Sequence, residues 1–321
     1  MALPVALAPS ALLLAVAVLL DLALGDPDYP WHPARLIGRT LTIDERALRA
    51  CGLDGYGGGI LLFLLVAGTW TVGVSALVSS AGDAYPWLGR ALHVFFLYSL
   101  LALGSLLQHG RRIESALRDD DLPRARVAVS RLVGRDTESM DAAACRRAAV
   151  ESLGENLTDG VVSPLFWYAI GGLPLLVLFK AVSTMDSMVG YRTPEYIRFG
   201  WCGARLDDVM NYVPARLTVG LIAVAAVVVR RCSAAKALRV ALAQHHVLPS
   251  PNSGWSEAAL AGALQRRLVG PIWTNQRLVT DLWIGTPSDP PLGTHDDYER
   301  AARLVLTSGL LAAAIAAAGI A

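Results

Sequence analysis

Lysine is almost missing from this 321-residue chain: Lys180 and Lys236 are the only two among 28 basic residues. Nearly all positive charge is therefore arginine, whose planar fork suits bidentate contact with carboxylate and phosphate. A codon bias toward arginine would give the same composition. Acids and bases almost cancel, to a formal net charge of +1, which removes the broad basic footprint of a nucleic-acid binder. Cysteine is scarce and scattered, at Cys51, Cys145, Cys202 and Cys232. With no CxxC and no His at zinc spacing, these read as reduced structural thiols. Several motifs are also lacking: GxxxxGK[ST], GxGxxG after a strand, GxSxG and HExxH. Any nucleotide use is then not by a P-loop, and soluble nucleotide folds are disfavoured. No internal repeat or heptad array suggests a solenoid or coiled coil.

What the chain has in quantity is apolar sequence, 54% hydrophobic residues and a mean hydropathy of +0.45. Runs near the roughly 20 residues needed to cross a bilayer core occur at Pro4–Leu24, Gly59–Ala81, Trp87–Leu107, Val162–Val182, Tyr212–Val229 and Leu304–Ala321. The first has no Lys or Arg ahead of Leu12–Leu24 and no small-residue cleavage site, so it reads as a retained anchor. Gly171, Gly172 and Pro174 interrupt the fourth, which reads as a broken or re-entrant helix. The expectation is an all-α, polytopic helical membrane protein of five or six spans, a single integral membrane domain over 1–321. Three arginine-rich polar segments lie between the runs, 25–58, 108–160 and 230–303. If every run spans, they share one face, which the positive-inside rule makes cytoplasmic. The 108–160 segment reads as an insertion of soluble helices, one capped by Asp121 with Pro123 in its first turn and one over Met140–Leu153. The 230–303 segment reads as polar loop and helix.

Four clusters could carry chemistry. On a helix, Glu151, Glu155 and Asp159 fall at i, i+4 and i+8 along one face. Oxygen ligands of this kind, with Asn156 beside them, suit Mg2+, which takes one or two carboxylates and leaves other positions to water and phosphate. Pairing of the same acids with Arg146 and Arg147 is the structural alternative. A second cluster runs from Lys180 through Asp186, Arg192, Arg205, Asp207 and Asp208 to Asn211; ionisable groups at the margin of an apolar run default to a site. Lys180 and Asp186 could instead neutralise each other. In the first polar loop, repeated prolines stiffen the backbone that carries Asp26, His32 and Arg35. The last cluster, His245–Glu257, includes Asn252 and precedes a helix beginning near Ala258, with Ser256 as a cap and an anion site at its N-terminus.

In this order the blocks resemble the CobD/CbiB family of adenosylcobinamide-phosphate synthases. They read LGDPDYPWHPARLIGR ending at Arg39, GRDT at 134–137, VESLGENLTDGVVSPLFW at 150–167, KAVSTMDSMVGYR and FGWCGARLDDVMNYVPARLT within 180–218, and SPNSGWSEAALAGAL at 250–264. Gly154 stands where the family often has Ala or Ser. The resemblance implies a plasma-membrane enzyme of a prokaryote, its active site on the cytoplasmic face. It would join adenosylcobyric acid to (R)-1-amino-2-propanol or its O-phosphate with ATP and Mg2+, alongside other corrinoid-assembly membrane enzymes. The corrinoid is then substrate, not prosthetic group. In that reading Glu151, Glu155, Asp159 and Asp186 are metal carboxylates, Asn156 orients substrate, and Asp207 or Asp208 accepts the ammonium proton. Asp26, His32, Arg35, Lys180, Arg192, Arg205, Asn211 and Asn252 bind ATP or substrate. Two competing readings are a Mg2+-dependent membrane transferase acting on an isoprenoid or lipid diphosphate, and a non-catalytic transporter or sensor on the same scaffold. If both flanking runs span, residues 183–211 lie opposite the acidic face; the single-site reading requires them to fold back toward it.

Overall fold

The computed structural model describes residues 4–27 and 29–321, so Asp28 of the first loop lies outside it. The described residues form thirteen α-helices: α1 Ala11–Leu24, α2 Pro33–Ala50, α3 Tyr56–Ala84, α4 Pro86–Ser99, α5 Leu103–Arg118, α6 Leu122–Val129, α7 Ala142–Leu157, α8 Ser163–Val189, α9 Trp201–Met210, α10 Tyr212–Val228, α11 Ala234–Gln244, α12 Ser253–Leu264 and α13 His295–Ile320. A single π-helical turn, Thr158–Val162, joins α7 to α8. Four stretches of the described residues are long and apolar enough to cross a bilayer: Tyr56–Ala84, Pro86–Arg118, Ala142–Val189 and His295–Ile320. Helices α9 and α10, bent by 42°, make a fifth if they form one span. The chain is a polytopic helical membrane protein.

The first apolar run departs from expectation. Its helix starts only at Ala11, capped by Ser10, and has 14 residues, about 21 Å of helix against a hydrocarbon core of roughly 30 Å. Residues before it turn away because the chain serves another purpose there. The kink at Gly171 and Gly172 in α8 frees backbone donors, and the Leu173 N–H donates to the Leu7 carbonyl at 3.1 Å. Gly172 has φ +62°, and a Cβ there would strike the Leu7 carbonyl. Only glycine meets both demands. Close by, the Tyr168 hydroxyl accepts from the Ser10 N–H at 3.0 Å and lies 2.9 Å from His93 Nε2, so the broken span is tied by polar groups that lipid could not satisfy.

Two compact units emerge. The first comprises residues up to Ala102, Ser163–Asn211 and Ala313–Ala321; the second Leu103–Val162 and Tyr212–Ala312. In the first, Ile37 and Leu41 of α2, Leu62 and Val66 of α3, and Ala181 and Met185 of α8 pack around Phe199. In the second, Ile113 and Leu117 of α5, Ala125 and Val129 of α6, and Cys145, Ala148 and Ala149 of α7 form one core.

The second unit contains two of the three polar segments picked out in the sequence, 108–160 and 230–303. Asp121 caps α6 by accepting from the Arg124 N–H at 3.0 Å. The following helix is capped at its start by Asp141, which accepts from the Ala144 N–H at 2.6 Å, and it runs past the expected end at Leu153 to Leu157. The 268–284 stretch, expected as loop and helix, instead holds two antiparallel pairs, β1 Leu268–Val269 with β4 Trp283–Ile284, and β2 Ile272–Thr274 with β3 Arg277–Thr280. Asn275 and Gln276 turn the β2–β3 hairpin with φ of 50° and 60°, the signature of a type I′ turn.

Candidate functional site

In the first unit, Pro33 opens α2 and leaves His32 as the last loop residue before it. His32 is buried, with Nε2 2.9 Å from Asp26 Oδ1 and the Tyr29 ring edge-on at 5.2 Å. Burial alone would push the Asp26 carboxyl up. The His32 hydrogen bond and charge, with the charges of Arg35 and Lys180, outweigh it and hold Asp26 below the ordinary carboxylate value. Lys180, on α8, also acts on Asp207, which feels Asp186 and Asp208 in turn. Two local spacings on α9 fix the rest. Arg205 and Asp208, three apart, lie 3.4 Å from each other; Asp207 and Asn211, four apart, share a 3.0 Å hydrogen bond from Asn211 Nδ2. Ser163 locks the other end of that amide, its hydroxyl donating to Asn211 Oδ1 at 2.5 Å. Arg192 adds a second guanidinium charge acting on Asp208. The structure thus gathers Asp26, His32, Arg35, Lys180, Asp186, Arg192, Arg205, Asp207, Asp208 and Asn211 in one unit. Lys180 is no private partner of Asp186; it serves two sets of acids.

The second unit gathers a different set. Glu151 accepts from Arg135 Nη2 at 2.7 Å and from the Val269 N–H at 3.1 Å. Its partner is therefore Arg135, not Arg146 or Arg147. Arg146 is engaged by Glu114 at 2.9 Å, and Arg147 lies over the Trp283 ring at 5.3 Å. Glu155 and Asn156 are exposed, with the Asn156 amide folded back to the Ser152 carbonyl at 3.0 Å. Asp159 lies where the winding changes from α to π, in the turn that opens at Thr158, and such π-turns occur frequently at functional sites.

Gly154 explains the approach of α12. A Cβ there would lie 2.9 Å from Leu260 Cδ1 and 3.6 Å from Glu257 Cγ, so the missing side chain lets the two helices close. Glu257 is left only 6% exposed. Burial first, then the charges of Glu151 and Glu155, push its carboxyl well above the ordinary value, with Arg135 opposing. Asn252, not Ser256, occupies the N-cap position of α12, which starts at Ser253. Ser256 is inside the helix, buried, its hydroxyl donating to the Ser253 carbonyl at 3.2 Å. Asn252 Oδ1 accepts from Arg216 Nη1 at 3.3 Å.

Among the described residues, no three His, Cys, Asp or Glu side chains are grouped to hold a metal ion together. The donor chemistry fits an ion taken by one or two carboxylates and completed by water and substrate phosphate, the usual arrangement for Mg2+. Glu151, expected as a metal ligand, is already engaged, since both its oxygens accept from protein donors.

The sequence profile described as CobD/Cbib protein matches residues 14–305. The chain belongs to the CobD/CbiB family. It is 40% identical over 306 residues to the cobalamin biosynthesis protein CbiB of Salmonella choleraesuis, covering 94% of each chain. It is 43% identical over 269 residues to the cobalamin biosynthesis protein CobD of Rhizobium meliloti, covering 81% of this chain and 82% of that one. No solved structure matches. Of the CobD/CbiB blocks, the first and fourth supply the set in the first unit. The GRDT block, the acidic half of the third and the fifth supply the set in the second. Arg135 and Glu257 lie within the quoted CobD/CbiB blocks, yet spacing alone does not single them out. The only signal for Glu257 is a lone charged residue in a helix otherwise made of Ala, Leu, Gly, Ser and Trp.

Proposed function

We propose that this chain acts in cobalamin biosynthesis as an ATP-dependent amide ligase, joining adenosylcobyric acid to an amino alcohol or its O-phosphate at the cytoplasmic membrane face. The observation that carries the reading is the mixed set of the first unit. Asp186, Asp207 and Asp208 act electrostatically on one another, Lys180 acts on Asp207, and Arg192 and Arg205 act on Asp208. Acids alone would suit only a cation, and bases alone only an anion. Side by side they suit a polyphosphate carried with its metal.

A carboxylate is a poor electrophile and needs activation. Transfer of the γ-phosphoryl group of ATP to a carboxylate oxygen of adenosylcobyric acid gives an acyl phosphate and ADP. The amine nitrogen then attacks the acyl carbon; the C–O bond to phosphate breaks, and amide, phosphate and a proton leave. Mg2+, when bound, would neutralise charge on the transferring phosphate. Lys180, Arg192 and Arg205 add fixed positive charge for the same oxygens at no reorganisation cost. Asn211 is buried, and its amide, held by Ser163, donates to Asp207 and so positions that carboxylate. The amine must lose a proton before it attacks. Asp207 or Asp208, in the same unit, is the carboxylate that takes it.

Purified protein assayed with adenosylcobyric acid, aminopropanol phosphate, ATP and Mg2+ tests the reading. Asp186→Ala and Glu155→Ala are expected to lose product formation while remaining membrane-inserted and monodisperse. Wild-type turnover in either would refute its assignment. Transfer to an isoprenoid diphosphate without ATP would favour the competing transferase reading.

A further inference from the structure

A recess of about 310 Å³ lies where the ends of α10 and α12 meet the start of α13, lined by Arg231, Gln265, Arg266, Asp289, Asp296 and Arg300. Composition sets its level. Helix α10 is apolar up to Val228 and is followed by Arg230 and Arg231, while α13 carries Arg300 and Arg303 and becomes apolar from Leu304. Arg300 Nη1 donates to the carbonyls of Arg231 at 2.9 Å and Leu264 at 3.2 Å, so the two apolar stretches end side by side. Arginines at the ends of apolar helices place their heads in the headgroup layer of a bilayer.

Two buried polar atoms of the lining lack partners. Asp289 is 9% exposed; its Oδ1 accepts from Lys236 Nζ at 3.2 Å, while its Oδ2 is shielded from solvent and accepts from no donor. Arg300 is 6% exposed, and its Nε lies 3.1 Å from Asp296 Oδ2 without being aligned to donate to it. One atom needs a donor and the other an acceptor, and each costs free energy while unmet. Arg231, Lys236, Arg266 and Arg300 face Asp289, Asp296 and Asp297, which leaves one positive charge in excess. A phosphodiester that also carries a hydroxyl supplies the acceptor, the donor and the missing negative charge together.

We infer that this recess holds the headgroup of an anionic phospholipid of the phosphatidylglycerol type, its phosphate on Arg231 and Arg300 and a headgroup hydroxyl on Asp289 Oδ2. Position selects a lipid over a soluble phosphoester. Val224, Val227 and Val228 are 57%, 75% and 69% exposed and share one face of α10 in the turns just before Arg231, an apolar track for the acyl chains. Basic pockets between membrane helices take anionic headgroups in this way. A phosphoethanolamine headgroup brings a donor but no net negative charge, and a phosphocholine headgroup brings neither. The inference does not rest on the ligase reading and is tested without turnover.

Equilibrium binding of dioctanoyl phosphatidylglycerol to the purified full chain in non-ionic detergent is the experiment. It is expected to bind about fivefold tighter or more than the dioctanoyl choline and ethanolamine lipids, the difference that one charge near an anionic surface implies. Glycerol phosphate, which has the headgroup and no chains, is expected not to compete at matched concentration. Arg231→Gln changes an exposed side chain and should weaken binding by a similar factor with the thermal-unfolding transition intact. Asp296→Asn removes the acid that competes for both guanidinium groups and should tighten it. Equal affinity for the glycerol and choline lipids, unchanged binding in Arg231→Gln, or weaker binding in Asp296→Asn would overturn the inference. Competition by glycerol phosphate as strong as by the lipid would also overturn it, assigning the recess to a soluble phosphoester.

Discussion

Replacing Glu257 by Gln keeps the shape of the side chain and removes its ability to ionise. The native carboxyl is buried beside Glu151 and Glu155, and both burial and those charges favour its protonated form. The folded state therefore holds a proton that the unfolded chain has released, so the group's favourable contribution is complete below the unfolded value near 4.5 and is lost as pH rises through the higher folded value. The glutamine protein carries no such penalty. The two proteins should unfold together near pH 4.5, and above it Glu257→Gln should become the more stable. The gap should grow by about 1.4 kcal/mol for each unit by which the folded value exceeds the unfolded one, then level off. A kcal/mol corresponds to roughly 2–4 °C in Tm for chains of 150–250 residues and to somewhat less for one of this length. Thermal unfolding in detergent with EDTA, between pH 4.5 and 8.5, reads the gap directly. A glutamine protein that loses stability relative to wild type as pH rises would refute the argument, since it would mean that the ionised carboxylate is the form the fold prefers.

Other perturbations follow from the same contacts. Gly154→Leu places a side chain where α12 approaches α7 and should destabilise by about 1–3 kcal/mol, seen as a lower Tm; an unchanged Tm would show that the helices are not in close contact. Gly172→Ala forces a Cβ onto the Leu7 carbonyl at positive φ and should cost about 1–3 kcal/mol, again read by thermal unfolding. Asp26→Asn removes the His32 partner. Because the Asp26 carboxyl is depressed, its contribution is present above the ordinary value of 3.8 and fades as pH falls below it. Its partial exposure limits the loss to about 1 kcal/mol, measured as a stability difference at pH 7 that closes near pH 3.

Features governed by neighbours in the chain were legible in the sequence. The Asp121 cap depends on residues three apart, and the broken span follows from two glycines and a proline inside one apolar run. The long apolar helices α3 and α13 follow from composition alone. What escaped depended on partners distant in sequence. The structural alternative paired Glu151 with Arg146 or Arg147, which are close along the helix, whereas Arg135 reaches it from a separate loop. The β2–β3 hairpin was missed because its type I′ turn uses Asn275–Gln276 in place of the usual Asn-Gly. Glu257 became notable only once Gly154 was seen to let α12 close against α7.

The central claim is that ATP activates the corrinoid carboxylate by phosphorylation. Adenosylcobyric acid labelled with 18O in the reacting carboxylate, turned over with ATP and aminopropanol phosphate by the purified protein, tests it most directly. The account predicts one 18O atom in the released inorganic phosphate for each amide formed, with ADP as the nucleotide product. Label found in AMP, or amide formed without label in any phosphate, would contradict it.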